Sequence, residues 1–423
     1  MSVTEKIKMK SSHLTAGLIF GLSAFGVAIA GFAAPQKFDL TQLGAADTFT
    51  AKRGYGFDLG TAPSADDPFY FSVSEPEGNY CIAVTFGDVH SASDNTLKAE
   101  SRQLLLEYLV TKPGEFVTRE FIVNIRNRHL PPPPENAPGG STVLLNPREI
   151  GLLRWDDKLT LEFNGAAPRV RSIEITPANV PTIFLAGDST VTDQPYEPGA
   201  SWGQMLPRFF KPELAIANHA ESGETLKSFI TGLRLAKILS QIKPGDYLFI
   251  QFGHNDEKKN WPQTYVEAHT TYKIYLKAFI AEARLRGATP VLVTPMQRRI
   301  FDAENHIKNT HGDYPAAVRE VAREEKVALI DLERMSVAFY EALGPKKSPL
   351  AFSNNGRDPT HTDNYGAYEL AKCVVQGIRD ANLPIARAII DDFTPFDPAH
   401  PDSPDTFSLP ASPARSNLAP RGS

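Results

Sequence analysis

Past Pro181 the chain changes grammar, and that change limits the folds open to it more than any other feature. Five apolar runs, TIFLAG, LAIAN, DYLFIQFG, TPVLVTP and VALIDL, follow one another, with amphipathic stretches such as VEAHTTYKIYLKAFIAEARLRG and YPAAVREVAREEKV between them. A near-continuous apolar strand is buried on both faces, and strands that alternate with helices build a parallel sheet covered by helices on either side. The pattern therefore predicts an α/β fold with a parallel sheet. In such sheets, functional groups collect beyond the carboxyl ends of the strands.

From Phe38 to Thr176 the period is two instead. Leu159, Leu161 and Phe163 alternate with polar neighbours, as do Ile173 and Ile175, so one side of each strand faces a core and the other faces water. FYFSVSEPEGNYCIAVTFG carries two apolar runs about Pro76-Glu77-Gly78-Asn79, and QLLLEYLVTKPGEFVTREFIVNIRN repeats the arrangement about Lys112-Pro113-Gly114-Glu115. Both read as hairpins. Many short strands with Gly/Pro turns predict a sandwich, and the Pro131–Pro134 run before Gly139-Gly140 reads as a surface loop. The 423 residues exceed one average domain. The expected division is an all-β sandwich over 34–178, a short TPANVP linker, an α/β domain over 179–390, and a tail rich in Pro, Ser and Asp over 391–423.

Residues 1–33 read as a signal peptide. Lys6, Lys8 and Lys10 precede an apolar stretch from Leu14 to Ala30, and small-x-small cleavage patterns follow. Secretion or a periplasmic location is the expectation, with no membrane contact after cleavage. The formal charge of −5 offers no basic excess for nucleic acid. Cys81 and Cys373 are the two cysteines. They lack metal-ligand spacing and read as two buried, unpaired thiols.

Four polar clusters follow strand-like runs. Ser189 in FLAGDSTVTDQ either sits in a turn that merely closes a strand or is displayed there as a nucleophile. In NHAESGETLKSFI, Gly223 lies just before a helix that starts near Thr225, where an N–H is free to meet an anion; the alternative is a glycine serving backbone geometry. In IQFGHNDEKK, Asn255 brings a neutral amide to the sheet edge, although Asn and Asp are also ordinary turn formers. In DPTHTDNYGAYELAK, the spacing of Asp358 and His361 lets a carboxylate take the Nδ1–H of the ring and expose Nε2. A serine nucleophile needs a base, an orienting group for that base, and donors for the oxyanion. The four clusters come in an order that supplies them.

Gly-Asp-Ser, a glycine in N-x-x-x-x-G, Gly-x-Asn-Asp and Asp-x-x-His together resemble the SGNH (GDSL-type) hydrolase superfamily, over roughly Pro181 to Leu383. LAGDSTVTD, GHND and DPTHTDNYGA are similar to the rhamnogalacturonan acetylesterase group, including members with an N-terminal β-sandwich of galactose-binding or carbohydrate-binding type. The resemblance implies a three-layer α/β/α, flavodoxin-like hydrolase domain. It implies Ser189 as nucleophile, His361 as general base and Asp358 as its orienting carboxylate. The oxyanion hole would be the backbone N–H groups of Ser189 and Gly223 with the side chain of Asn255. One departure stands out: Glu224-Thr225 follow Gly223 where many relatives have Arg-Ser, so an acid near the site bears on substrate preference.

The expected reaction removes O-acetyl groups from plant cell-wall polysaccharide, acetylated rhamnogalacturonan first, with no metal and no organic cofactor. Acetyl xylan or another acetylated carbohydrate is the alternative substrate. A glycan-binding protein without catalysis is the alternative class. Candidate substrate contacts are His254, Trp202, Glu224 and Lys258. Trp202 and Trp261 suit sugar stacking, though a tryptophan is as often packing. Lys258, Lys259, Arg298 and Arg299 fit either a polyanion contact or a solvated rim.

Overall fold

The computed structural model describes residues 35–64 and 67–416. The expected leader at 1–33 lies outside them. Among the described residues, nine strands make the β-rich half: β1 (Gln36–Asp39), β2 (Tyr55–Asp58), β3 (Phe69–Ser74), β4 (Gly78–Phe86), β5 (Ser93–Ala99), β6 (Gln103–Thr111), β7 (Val117–Ile125), β8 (Lys158–Ala167) and β9 (Val170–Pro177). They form two antiparallel sheets, ordered β1-β9-β4-β7 and β2-β3-β8-β5-β6. Phe71, Val73, Leu159, Leu161 and Phe163 of one sheet share a core with Ile82, Val84, Phe86, Ile173 and Ile175 of the other. The sandwich is as the alternation predicts.

The two expected hairpins are not hairpins. β3 and β4 lie in opposite sheets, and so do β6 and β7. Packed sheets stand about 10 Å apart, and three extended residues span about 10 Å, so Glu75-Pro76-Glu77 reaches across. Period-two alternation reads the same either way, since an arch and a hairpin both turn one face inward.

Water does not meet the polar side of β8 as expected. Thr160, Glu162 and Asn164 are all buried. The tail covers one end of this face, where Asn164 Nδ2 donates to the Ala411 carbonyl at 3.0 Å and Lys98 Nζ on β5 donates to the Pro410 carbonyl at 2.7 Å and to Ser412 Oγ at 2.8 Å, while the Thr160 hydroxyl bonds Ser72 Oγ at 2.9 Å. Buried polar groups of this kind persist because each finds a partner.

The second half runs β10 (Thr182–Gly187), α1 (Trp202–Met205), β11 (Ala215–Asn218), α2 (Leu226–Thr231), α3 (Arg234–Leu239), β12 (Tyr247–Gln251), α4 (Lys273–Leu285), β13 (Thr289–Val293), α5 (Tyr314–Glu325), β14 (Ala328–Ile330), α6 (Leu332–Lys347) and α7 (Asn364–Asp380). All five strands are parallel, in the order β11-β10-β12-β13-β14. Ile183 and Leu185 pack on one face with Trp202, Phe339 and Val374. Phe184 and Ala186 pack on the other with Leu226, Phe279 and Val318. This is the three-layer α/β/α arrangement. β10 lies between β11 and β12, so the chain order reverses beside it, and the carboxyl end of β10 faces the crevice where such sheets bind ligands.

The two halves belong to one compact unit. Cys81 and Cys373 are free thiols. Among the described residues, no helix is long and apolar enough to cross a membrane.

Candidate active site

β10 ends at Gly187, and the reason for a glycine is steric: a Cβ there would stand 2.5 Å from Val191 Cγ2 and 3.0 Å from the Gln251 carbonyl oxygen. The chain then folds back at once. The N–H groups of Val191 and Thr192 donate to the Asp188 carbonyl at 3.1 and 3.0 Å. Asp188 Oδ1 accepts from the Thr190 N–H at 2.9 Å and from its hydroxyl at 2.8 Å. Gln194 Nε2 donates to the Ser189 carbonyl at 2.7 Å. The Ser189 hydroxyl is thus held beyond the strand end by a turn tied at both sides.

Ser189 Oγ lies 2.9 Å from His361 Nε2, and His361 Nδ1 lies 2.8 Å from Asp358 Oδ2. Residues 172 positions apart meet because α7 starts just past His361 and packs against α1, behind the nucleophile turn. Asp358 Oδ1 also accepts the N–H groups of Thr360 (2.8 Å) and His361 (3.0 Å). Burial pushes the Asp358 carboxyl up, but the hydrogen bonds from the His361 ring and these two N–H groups outweigh it and hold it below the ordinary carboxylate range. An ionised carboxylate only accepts, so the Nδ1 proton stays on the ring and Nε2 is left to receive the proton of Ser189.

The oxyanion candidates surround the same strand end. Gly187 O accepts the Glu221 N–H at 3.2 Å, which sets the 221–224 turn beside Ser189. Gly223 has φ +83°, a backbone conformation that favours glycine. α2 starts where the sequence predicts, and Thr225 caps it, accepting the Ser228 N–H at 3.0 Å. Asn255 Nδ2 donates one hydrogen to the Glu224 carbonyl at 3.1 Å, and Asp256 Oδ1 accepts the Leu226 N–H at 2.9 Å. Among the described residues, the N–H groups of Ser189 and Gly223 donate to no other group.

The expected substrate contacts fare differently. Trp202 is 1% exposed and its Nε1 donates to Gln251 Oε1 at 2.8 Å, so it is core packing and not a stacking platform. Glu224 is engaged within its own half: its carboxylate accepts from Ser228 Oγ at 2.5 Å and from Arg234 Nε at 3.2 Å. The acid expected to bear on substrate choice is part of a buried ion network. His254 is buried, with Nδ1 3.4 Å from Asp188 and its ring 4.4 Å from that of His311. Burial brings its pKa down to about 4 against the opposing pull of Asp188, so it is a neutral wall behind the turn. Lys258 is half-buried and its Nζ lies 4.3 Å from the centre of the Trp261 ring, a cation–π contact. Arg298 pairs with Glu257 at 2.7 Å, and Arg299 donates to the Gly356 carbonyl at 2.5 Å while lying over Phe352. Those two arginines are tied into the fold and do not make a basic rim.

Sequence reasoning missed the supports. Gln194 has no local motif around it. Arg148 and Arg154 of the β-rich half reach the loops around Ser189, and nothing in their own surroundings marks them, because their partners in those loops are more than 35 positions away.

A parallel sheet with a buried Ser–His–Asp array beyond β10 is the arrangement that serine-hydrolase chemistry requires. Residues 185–368 match the model of the GDSL-like Lipase/Acylhydrolase family. The chain is 43% identical over 216 residues to "Probable rhamnogalacturonan acetylesterase YesY" of Bacillus subtilis, a match covering 50% of this chain and 98% of that one. It is 41% identical over 216 residues to "Rhamnogalacturonan acetylesterase RhgT" of the same organism, covering 48% and 91%. It is 28% identical over 345 residues to "Uncharacterized esterase YxiM", also of Bacillus subtilis, covering 79% and 86%. The chain belongs to the GDSL-like lipase/acylhydrolase family and is a carboxylic ester hydrolase. The glycan-binding alternative without catalysis is set aside on that ground.

Proposed function

We propose that the protein is a carbohydrate O-acetylesterase that deacetylates rhamnogalacturonan through an acetyl-enzyme on Ser189. The contact between Ser189 Oγ and His361 Nε2 at 2.9 Å carries this reading. His361 takes the Ser189 proton as Oγ attacks the acetyl carbonyl carbon, and Asp358 stabilises the imidazolium that forms. The tetrahedral oxyanion is met by the N–H groups of Ser189 and Gly223 and by the second amide hydrogen of Asn255. His361 then protonates the departing sugar oxygen, the C–O bond breaks, and the acetyl group remains on Ser189. A water attacks it with His361 again as base, releasing acetate and restoring the serine.

The substrate assignment rests on the two relatives named for rhamnogalacturonan acetylesterase activity, each matched over more than nine-tenths of its length. Acetate release from acetylated rhamnogalacturonan, with acetylated xylan in parallel, tests it. Ser189→Ala should abolish release from both. Faster turnover on xylan than on rhamnogalacturonan would overturn the substrate while leaving the esterase chemistry in place.

A further inference from the structure

The α/β half presents the loops around Ser189, and its own Arg234 holds Glu224, but it does not supply the cations that meet two other buried carboxylates of those loops. Its carboxylates Asp193 and Glu221 are 0% and 1% exposed. Among the described residues, each ion-pairs only with arginines of the β-rich half: Asp193 with Arg126 at 3.6 Å, and Glu221 with Arg148 at 2.6 Å and with Arg154. Arg154 Nη1 donates to Thr192 Oγ1 at 2.7 Å and to the Asp193 carbonyl at 2.8 Å, while its Nη2 donates to Glu221. One guanidinium therefore ties the nucleophile loop to the head of the Gly223 turn.

Arg148 does something more specific. Its Nε donates to Glu221 Oε1 at 3.0 Å, and its Nη2 donates to the carbonyl oxygen of Ser222. That carbonyl and the Gly223 N–H belong to one peptide unit, which is planar and trans, so the two groups point in opposite directions. Fixing the oxygen fixes the direction of the N–H. A cation on the oxygen also draws electron density through the amide and makes that N–H a stronger donor.

We infer that Arg148, carried by the β-rich half, is a positioning residue that orients and polarises the Gly223 N–H toward the oxyanion. This rests on the esterase reading above and gives the sandwich a part in catalysis beyond any glycan contact. The planar fork meets the Glu221 carboxylate and the Ser222 carbonyl together, a geometry that a lysine ammonium does not reproduce.

The test uses the full chain, with active sites counted by a fluorophosphonate that labels Ser189, and with turnover measured on an aryl acetate. Arg148 is partly exposed, and in Arg148→Ala the Glu221 carboxylate keeps Arg154, so the variant is expected to fold. Its kcat per labelled site should fall roughly 10- to 100-fold, less than the loss of a whole oxyanion donor, with KM changed less than about threefold. Arg148→Lys, which keeps the charge, should recover part of that loss. A merely structural role would lower the melting temperature or the labelled fraction and leave kcat per labelled site intact. Wild-type kcat per labelled site in Arg148→Ala, with a working wild-type enzyme, overturns the inference alone. A wild type that neither takes the label nor hydrolyses any acetate overturns the esterase reading, and the inference with it.

Discussion

The Asn255 carboxamide donates to the Glu224 carbonyl oxygen at 3.1 Å, and this bond ties the loop after β12 to the turn that carries Gly223. Asn255 is fully buried. With one amide hydrogen committed to Glu224, the plane of the group is set, and the other hydrogen has a fixed direction before any substrate arrives. Preorganised donors of this kind do not reorganise as charge develops.

Asn255→Ala removes both the donor and the tie. Its kcat on an aryl acetate should fall about 10²- to 10³-fold, as for loss of a single oxyanion donor elsewhere. Undiminished turnover per labelled site would take Asn255 out of the mechanism.

Asp358→Asn keeps an acceptor for the Thr360 and His361 N–H groups but no longer compels His361 to carry its proton on Nδ1. A drop in kcat of about 10⁴-fold is expected, with the near-ultraviolet circular dichroism unchanged. A loss of tenfold or less would mean that the carboxylate is not what orients the ring.

The Glu224 carboxylate is bound to Ser228 and Arg234. Burial raises its pKa, and the Arg234 guanidinium opposes that. Glu224→Gln should lower the melting temperature while leaving the ratio of kcat/KM for acetylated rhamnogalacturonan and acetylated xylan within about twofold, since its charge is spent within the fold. A large change in that ratio would return Glu224 to the substrate path.

Trp202→Ala opens a large void under the nucleophile turn. A stability loss of roughly 3–5 kcal/mol is expected from truncating so large a buried side chain, read from denaturant unfolding. An intact melting profile with a raised KM would instead indicate a sugar platform.

Acid should destabilise the fold through its buried histidines. Burial lowers the His254 pKa to about 4, and burial with nearby Arg126, Lys237 and Arg234 pushes His219 well below its ordinary value. An unfolded histidine titrates near 6.5. Between that value and the folded one, the unfolded chain binds the extra proton, so stability is complete above about pH 6.5 and is lost as pH falls toward 4. His254 alone accounts for about 3 kcal/mol over that window. His254→Asn should flatten the loss of stability measured by denaturant midpoint between pH 7 and pH 4. An unchanged slope would mean that the ring is charged in the folded state.

The apolar runs after Pro181, the period-two strands before it and the four ordered clusters were all legible in the chain, because each depends on neighbours within a few positions. A buried parallel strand must be apolar on both faces, and a Gly-Asp-Ser turn or an Asp-x-x-His spacing is a local matter of backbone reach. What faces what was not local. An arch between sheets and a hairpin share one alternation, so only tertiary packing sent β3 and β4 to opposite sheets. Trp202 and Glu224 sit near the motifs in sequence, yet packing turned one into the core and bound the other to Arg234, ten positions on. The sequence by itself determined which groups are available for the proposed chemistry. Tertiary structure alone decided what holds them, because Arg148 and the Ser222 carbonyl are 74 positions apart and meet only when the sandwich docks on the sheet.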